Sequence, residues 1–301
     1  MSRTKRTRLL VPVILILFVF AYSRHKQEDR HNNIVGRLSA RDMDEISGIA
    51  ASGINTDLYY VHNDSGDTSR FFAIYPSGEL RSTIYFKGDT TELRYDVHDC
   101  EDIAVGPGPV KGKSYVYLGD IGDNNSSRKY LTVYRMEEKK EWDDEGTFTT
   151  TAVPIHLKYP DRPKDAETLM VDPIEKLIYI VSKRHDTVAI YTTPLLYKAD
   201  DTVVLTKRCK LFFPGIKPFK WITAGDISKD GRQILIKSYN KVYYWKREHN
   251  EPIWKTIQRP WKLLPYEEEK QGEGIGFTPD GKGYYTCSEG VYTPIYYYKI
   301  P

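Results

Sequence analysis

The sequence contains few cysteines and almost no net charge. Its three cysteines, Cys100, Cys209 and Cys287, can form at most one internal disulfide, so the fold must rely on its core rather than on a disulfide scaffold. Four of the 44 basic residues lie in the first 23 positions, where no acidic residue occurs, and the remainder holds 40 basic against 41 acidic residues. A body this close to neutral lacks the basic footprint of a nucleic-acid-binding protein, and no nucleic-acid partner is expected.

The sequence also lacks the short motifs of common hydrolases. Neither G-x-S-x-G nor H-E-x-x-H occurs, so α/β-hydrolases and zincins are without their signatures. The Gly106–Pro109 turn lies between predicted strands rather than before a helix, so it is not a phosphate-binding loop. Any function must therefore be inferred from residues that the fold brings together.

Only the N-terminus carries a long hydrophobic run. Residues 9–22 are continuously apolar and follow four basic residues, which is typical of a secretory signal but short for a membrane span. We predict a cleaved signal peptide or an uncleaved signal anchor over 1–23, a linker over 24–31 and a single domain over 32–301. The domain is then extracytoplasmic, and only the N-terminal segment contacts a membrane.

Aromatic residues are abundant, with 24 tyrosines and an aromatic share of 13%, which favours a strand-rich protein. Five segments repeat one pattern, in which an acidic residue precedes an apolar stretch and further aromatic or β-branched strands follow. These segments begin at Glu45, Glu101, Glu167, Asp226 and Glu273. Such self-similarity is the signature of a repeat architecture.

The repeats predict an all-β fold, a five-bladed β-propeller of four-stranded blades. The fifth unit ends after its third strand, and residues 33–40 can supply the missing one, so an N-terminal strand closes the ring. The charged runs at 137–145 and 266–272 are interpreted as loops. A two-sheet sandwich is the structural alternative, but it gives no reason for an acid at the same point of five units.

First strands of propeller blades line the central axis, so the repeated acids should form a ring there. The predicted metal ligands are Glu45, Glu101, Glu167, Asp226 and Glu273. Because close carboxylates repel by several kcal/mol, the ring must retain protons or hold a cation, and oxygen ligands suit Ca²⁺ first, with Mg²⁺ possible. A hydrated acidic channel and salt bridges to nearby bases are the alternatives.

The ends of the second strands should surround the mouth of this ring. A metal at the axis and bases at its rim would suit an anion such as phosphate or carboxylate. The predicted anion-binding residues are Asn63, Lys183, Arg184, Lys237 and Tyr239, and the predicted catalytic residues are His62, Asp64, His98 and Asp120. For each histidine, a structural role is the alternative to that of a catalytic base.

Five motifs extend this interpretation by resemblance. They are HNDSGD (62–67), CEDIAVGPGP (100–109), LGDIGDN (118–124), DAETLMVDP (165–173) and GEGIGFTPDG (272–281). Together they resemble a family of exported β-propellers that is grouped with esterase-like or phytase-associated propellers. Members often have Trp where Cys100 stands. In architecture, the chain also looks like calcium-activated nucleotidases of the apyrase type, which implies a central Ca²⁺.

Two functional hypotheses follow. The first is a metal-dependent hydrolase of a phosphate ester or other anionic ester. The second is a non-catalytic propeller that binds a ligand or a protein and uses the cation structurally. The sequence does not predict the oligomeric state.

Overall fold

The structure, a computed structural model, describes residues 33–88, 97–199 and 201–301. The predicted signal segment 1–23 and linker 24–31 lie outside this part of the chain. In the described part, no helix is long and apolar enough to cross a membrane. The three cysteines are free, with Cys100 and Cys287 buried.

The described residues form five sheets, each with four antiparallel strands, arranged as the blades of a propeller. Blade 1 contains β2 (Ile46–Ala51), β3 (Tyr59–Asn63), β4 (Arg70–Ile74) and β5 (Leu80–Phe86). Blade 2 contains β6 (Cys100–Pro107), β7 (Ser114–Asp120), β8 (Leu131–Glu137) and β10 (Val153–Lys158). Blade 3 contains β11 (Ala166–Asp172), β12 (Leu177–Ser182), β13 (Thr187–Pro194) and β15 (Thr206–Phe212). Blade 4 contains β16 (Ile222–Ile227), β17 (Gln233–Ser238), β18 (Lys241–Lys246) and β19 (Lys262–Leu264).

Blade 5 joins the two ends of the domain. It contains β20 (Gly272–Phe277), β21 (Gly283–Ser288), β22 (Pro294–Lys299) and, as its outermost strand, β1 (Ile34–Arg37). β1 pairs antiparallel with β22, with Ile34 opposite Tyr296. The predicted closure by an N-terminal strand is therefore confirmed, and the ring excludes a two-sheet sandwich.

First strands line the axis, and each contacts the first strand of the next blade around the ring. Their apolar side chains pack between blades, so the core consists of five clusters, each shared by two neighbouring blades. A buried ion pair adds to one of these contacts. Arg247 of blade 4 binds both carboxylate oxygens of Asp172 in blade 3, at 2.9 and 3.0 Å, and neither side chain is exposed.

Two short parallel strands and two short helical turns were not predicted. β9 (Gly146–Thr150) extends blade 1 and β14 (Thr202–Val204) extends blade 2. The charged run at 137–145 is not only loop, because a 3₁₀ turn at Lys140–Asp143 buries Trp142 edge-on against Tyr60 and Phe71. The predicted fourth strand of blade 4 begins instead as a helical turn, α1 (Ile253–Thr256), and only β19 is extended.

Candidate functional site

A β-bulge near the start of every first strand sets the residues that face the axis. In all five blades the pairing of the first two strands shifts by one residue at the same point. A bulge re-aims the side chain of the unpaired residue. The unpaired residues are Ser47, Glu101, Glu167, Thr223 and Glu273.

The prediction of five equivalent acids is therefore wrong at two positions. Glu45 lies two residues before the bulge, is exposed, and is held by its backbone, whose N–H contacts Asn63 Oδ1 at 3.3 Å. Asp226 lies three residues after the bulge in its blade, where it accepts the N–H groups of Ile227 and Phe277, each at 2.8 Å. Glu45 and Asp226 therefore match the sequence repeat, but the residues at the bulge positions of their blades are Ser47 and Thr223.

The remaining acids join carboxyl groups from the surrounding loops. Three groups of residues each bring carboxylate oxygens within 4.8 Å of one another. They are Asp64, Asp99 and Glu101; Glu101, Asp165 and Glu167; and Asp64, Glu273 and Glu289. We call these seven residues the axial carboxyl cluster. It could hold a metal ion, and its all-oxygen donors are those of a hard cation rather than of zinc or copper.

One cation already lies within the cluster, and it is a lysine. Lys183, which is buried, forms an ion pair with Glu167, and its Nζ lies 4.0 Å from Glu273 Oε1. Tyr239 lies beside it, and its hydroxyl donates to Glu273 Oε1 at 2.6 Å. Lys183 was predicted at the rim, but it lies inside the cluster. There its charge offsets the negative charge of Glu167 and Glu273.

Three other carboxyl groups of the cluster lack so close a partner in the described part of the chain. Among the described residues, no lysine or arginine pairs with Asp64, Asp99 or Glu101, and Asp64 Oδ1 is a buried acceptor with no hydrogen-bond donor. A Cβ at Gly122 would overlap both Glu101 Oε1 and Asp99 Oδ2. Only glycine therefore lets these carboxylates approach the GDIGDN loop. We call Asp64, Asp99 and Glu101 the open carboxylate triad.

Burial and mutual repulsion raise the pKa values of the cluster. Burial, followed by neighbouring carboxylates, raises the pKa of Asp64 to about 7, of Asp99 to about 6 and of Glu289 to about 8. The pKa of Glu167 rises to about 8, chiefly through burial, although Lys183 opposes the shift. The same causes raise the pKa of Glu101 well above its ordinary value. A bound cation would favour the ionised carboxylates and so lower these pKa values.

Two of the predicted mouth residues hold loops in place. Asp120 accepts the backbone N–H groups of His98 and Asp99, each at 3.1 Å, and pairs with Arg128 at 2.7 Å. The Asn63 amide donates to the Asp42 carbonyl at 2.7 Å and to Asp67 at 2.9 Å. Asp120 therefore positions the loop that carries Asp99, while the His98 side chain is exposed.

The other predicted residues lie deeper than expected. His62 is fully buried, its Nδ1 contacts the Asn63 carbonyl at 2.8 Å, and burial lowers its pKa to about 4. Lys237 is also buried, donates to the Gly272 carbonyl and lies over the ring of Tyr266, and burial lowers its pKa to about 8. Neither side chain is at the surface of the mouth.

A basic rim borders the cluster on the side of blade 3. Arg184 pairs with Asp165 and lies over the ring of Trp221, at 5.3 Å from the ring centre. Burial lowers the pKa of His185, and the charges of Arg162, Lys164 and Lys217 lower it further. Lys164 is itself buried and pairs with Asp161 at 3.1 Å, and Lys217 pairs with Asp186 at 3.0 Å. Arg162 and Lys164 follow β10, Lys217 follows β15, and none of the three was predicted, because they carry no motif in the sequence.

Comparisons with known proteins show only distant similarity. No family model matches the sequence, and no curated protein matches it significantly. The Dos1 propeller superposes with a TM-score of 0.40 at 12% identity, over 83% of this chain and 67% of that one. A 6-phosphogluconolactonase candidate from Bacteroides uniformis gives 0.40 at 14% identity, over 85% and 67%. The resemblance to exported propellers therefore stays a prediction, and function must be inferred from the site.

Proposed function

We propose that the open carboxylate triad binds a divalent cation, Ca²⁺ in preference to Mg²⁺, and that the propeller hydrolyses a phosphate or related anionic ester beside it. The preference for Ca²⁺ follows from a wide ring of side chains with flexible geometry, whereas Mg²⁺ demands a near-ideal octahedron. The proposed N-terminal signal or anchor would place this site outside the cytosol, where Ca²⁺ is available.

One observation carries the cation proposal. Three carboxyl groups with oxygens within 4.8 Å of one another make no ion pair within the described part of the chain, and one of their oxygens is buried without a donor. Oxygens that bind one Ca²⁺ at about 2.3–2.6 Å lie within about 5 Å of each other, so the triad fits such an ion. Because buried carboxylates without partners are costly, a ligand is expected at this point.

The residues around the triad would support ester hydrolysis. A bound cation would polarise the scissile group and lower the pKa of a coordinated water. Arg184 and the exposed Arg162 offer guanidinium groups suited to a phosphate or carboxylate. His98 directly precedes Asp99 in the chain, and its imidazole is exposed. It is therefore the predicted base with access to solvent.

A binding module with a structural cation is the second candidate. Two observations favour it: His62 is fully buried and neutral at neutral pH, and both Asp120 oxygens are already engaged. For these two of the four predicted catalytic residues, the contacts favour a structural role over proton transfer.

Calcium titration by calorimetry, followed by hydrolysis assays with p-nitrophenyl phosphate and ATP, tests both candidates. We expect one tight Ca²⁺ per chain, lost in Asp99→Asn and retained in Glu79→Gln, whose exposed side chain lies outside the cluster. Turnover that requires Ca²⁺ and falls in Arg184→Gln would support the hydrolase. Calcium binding without turnover of any ester supports the binding module, and absence of calcium binding by the folded protein contradicts both.

A further inference from the structure

The second end of the propeller axis is an apolar cavity. The first strands begin at the axial carboxyl cluster and end around a cavity of about 340 Å³. Its wall includes Val105, Val171, Ile227 and Phe277, the last apolar residues of four first strands. The axis therefore has two chemically opposite mouths, and the proposed cation site uses only one of them.

Lysines stand at the rim of this cavity on three different blades. Lys113 is paired with Glu137 at 2.5 Å. Lys176 and Lys229 make no ion pair with any residue of the described segments, although both are exposed at the mouth. Lys229 reaches from blade 4 to blade 1, where its Nζ donates to the Gly53 carbonyl at 3.0 Å. Two lysines thus line the cavity without a carboxylate partner among the described residues, and the ammonium group of one of them, Lys229, is held at Gly53.

Negative charge at the cavity wall is confined. Asp226 is the one carboxyl residue among the described lining residues, and its two oxygens accept the N–H groups of Ile227 and Phe277. Glu138 lies behind the Gly53 loop, buried and bonded to the Ser52 hydroxyl at 2.6 Å and to the Gly53 N–H. Both carboxyls are satisfied by the protein, so the mouth presents free positive charge.

We propose that this cavity binds a medium-chain carboxylic acid, with its hydrocarbon on the axis and its carboxylate between Lys176 and Lys229. The volume lies at the lower end of the range for small-molecule sites, about 300–1,000 Å³. A cavity at this end of the range suits a ligand of about ten heavy atoms rather than a long lipid. The apolar wall binds the chain, and the lysines select an anion over a neutral molecule.

Calorimetric titration with octanoate tests this site. Run in EDTA at pH 7, the experiment is independent of the proposed cation site. We expect one octanoate per chain, with acetate and octanol each at least about tenfold weaker, because acetate lacks the apolar body and octanol lacks the charge. Octanol binding as tightly as octanoate would contradict the role of the lysines.

Variants locate the binding. Lys176→Gln and Lys229→Gln should each weaken octanoate about five- to tenfold, the size expected for loss of one charge-assisted contact. Lys210→Gln, on the outermost strand of blade 3, is the matched control and should bind normally. Ala51→Phe should fill the cavity and abolish binding, with Val105→Phe as a second filling variant if the first fails to fold. Normal octanoate affinity in a folded filling variant, or in both rim variants, would overturn the proposal.

Discussion

Replacing Glu101 by glutamine should stabilise the metal-free protein and remove its stabilisation by calcium. Glu101 belongs to two of the three sets of residues that make up the cluster. Its oxygens therefore lie within 4.8 Å of oxygens of Asp64, Asp99, Asp165 and Glu167. Two unit charges about 5 Å apart repel by about 3 kcal/mol at an effective dielectric constant of about 20. Burial, followed by Glu167, Asp64 and Asp99, raises the pKa of Glu101, so the repulsion that glutamine removes is largest where the carboxyl is ionised. The gain in stability should therefore grow as the pH rises.

Thermal melts at pH 7 and pH 9, in EDTA and in Ca²⁺, measure both effects. Calcium at a hundredfold excess over its Kd adds about 2.7 kcal/mol to the wild type, a rise in Tm of about 5–10 °C for a domain of this size. In EDTA we expect the Tm of Glu101→Gln to equal or exceed that of the wild type, and calcium should no longer raise it. Glu79→Gln, a change of the same chemistry at an exposed site, should behave as the wild type.

Two results would refute this reasoning. If calcium raises the Tm of Glu101→Gln as much as that of the wild type, the cation does not bind at the triad. If the variant is less stable than the wild type in EDTA at pH 9, Glu101 makes a favourable interaction that outweighs its repulsion. Either outcome is visible without any assay of catalysis.

Three further predictions follow from buried or close-packed groups. Arg247→Met leaves the Asp172 carboxylate buried without its partner, so urea unfolding should show a loss of about 3–5 kcal/mol, much of it restored by adding Asp172→Asn; an unchanged midpoint would contradict it. Burial raises the pKa of Asp226 to about 7, so the folded state holds a proton that the unfolded chain releases near pH 4. Its contribution to the unfolding free energy should fall between pH 4 and pH 7, by up to about 1.4 kcal/mol per pH unit, and Asp226→Asn should flatten the measured slope accordingly; equal slopes would refute the shift. Gly122→Ala should weaken Ca²⁺ at least about tenfold in calorimetry by displacing two triad carboxylates, and an unchanged affinity would place the ion elsewhere.

The repeat in the sequence predicted the architecture because each unit must bury its faces against its neighbours. The repeated acidic residue marked the five blades, and the incomplete fifth unit predicted the closing strand near Ile34. Local composition misled at the edges. β9 and β14 have only five and three residues, and the charged run around Trp142 contains one large buried side chain.

The candidate site was predictable only in part, because the position of a β-bulge depends on strand pairing and cannot be read from one sequence. Glu101, Glu167 and Glu273 are the unpaired residues of their bulges. Glu45 and Asp226 match the repeat in sequence but do not occupy the bulge position. The contribution of loop carboxyls such as Asp99, and the need for glycine at 122, depend on contacts between blades. Such contacts join residues far apart in the chain and leave no local pattern.

Closure of the ring by β1 and β22 determines when the domain can finish folding. Ile34 pairs with Tyr296, so β1 is synthesised well before the strand with which it pairs. At about 5–20 residues per second, that interval is on the order of tens of seconds, during which the edge of an unfinished blade is exposed. The ring is therefore expected to close only after β22 has been synthesised, and until then the nascent domain exposes an unpaired strand edge of the kind that invites aggregation.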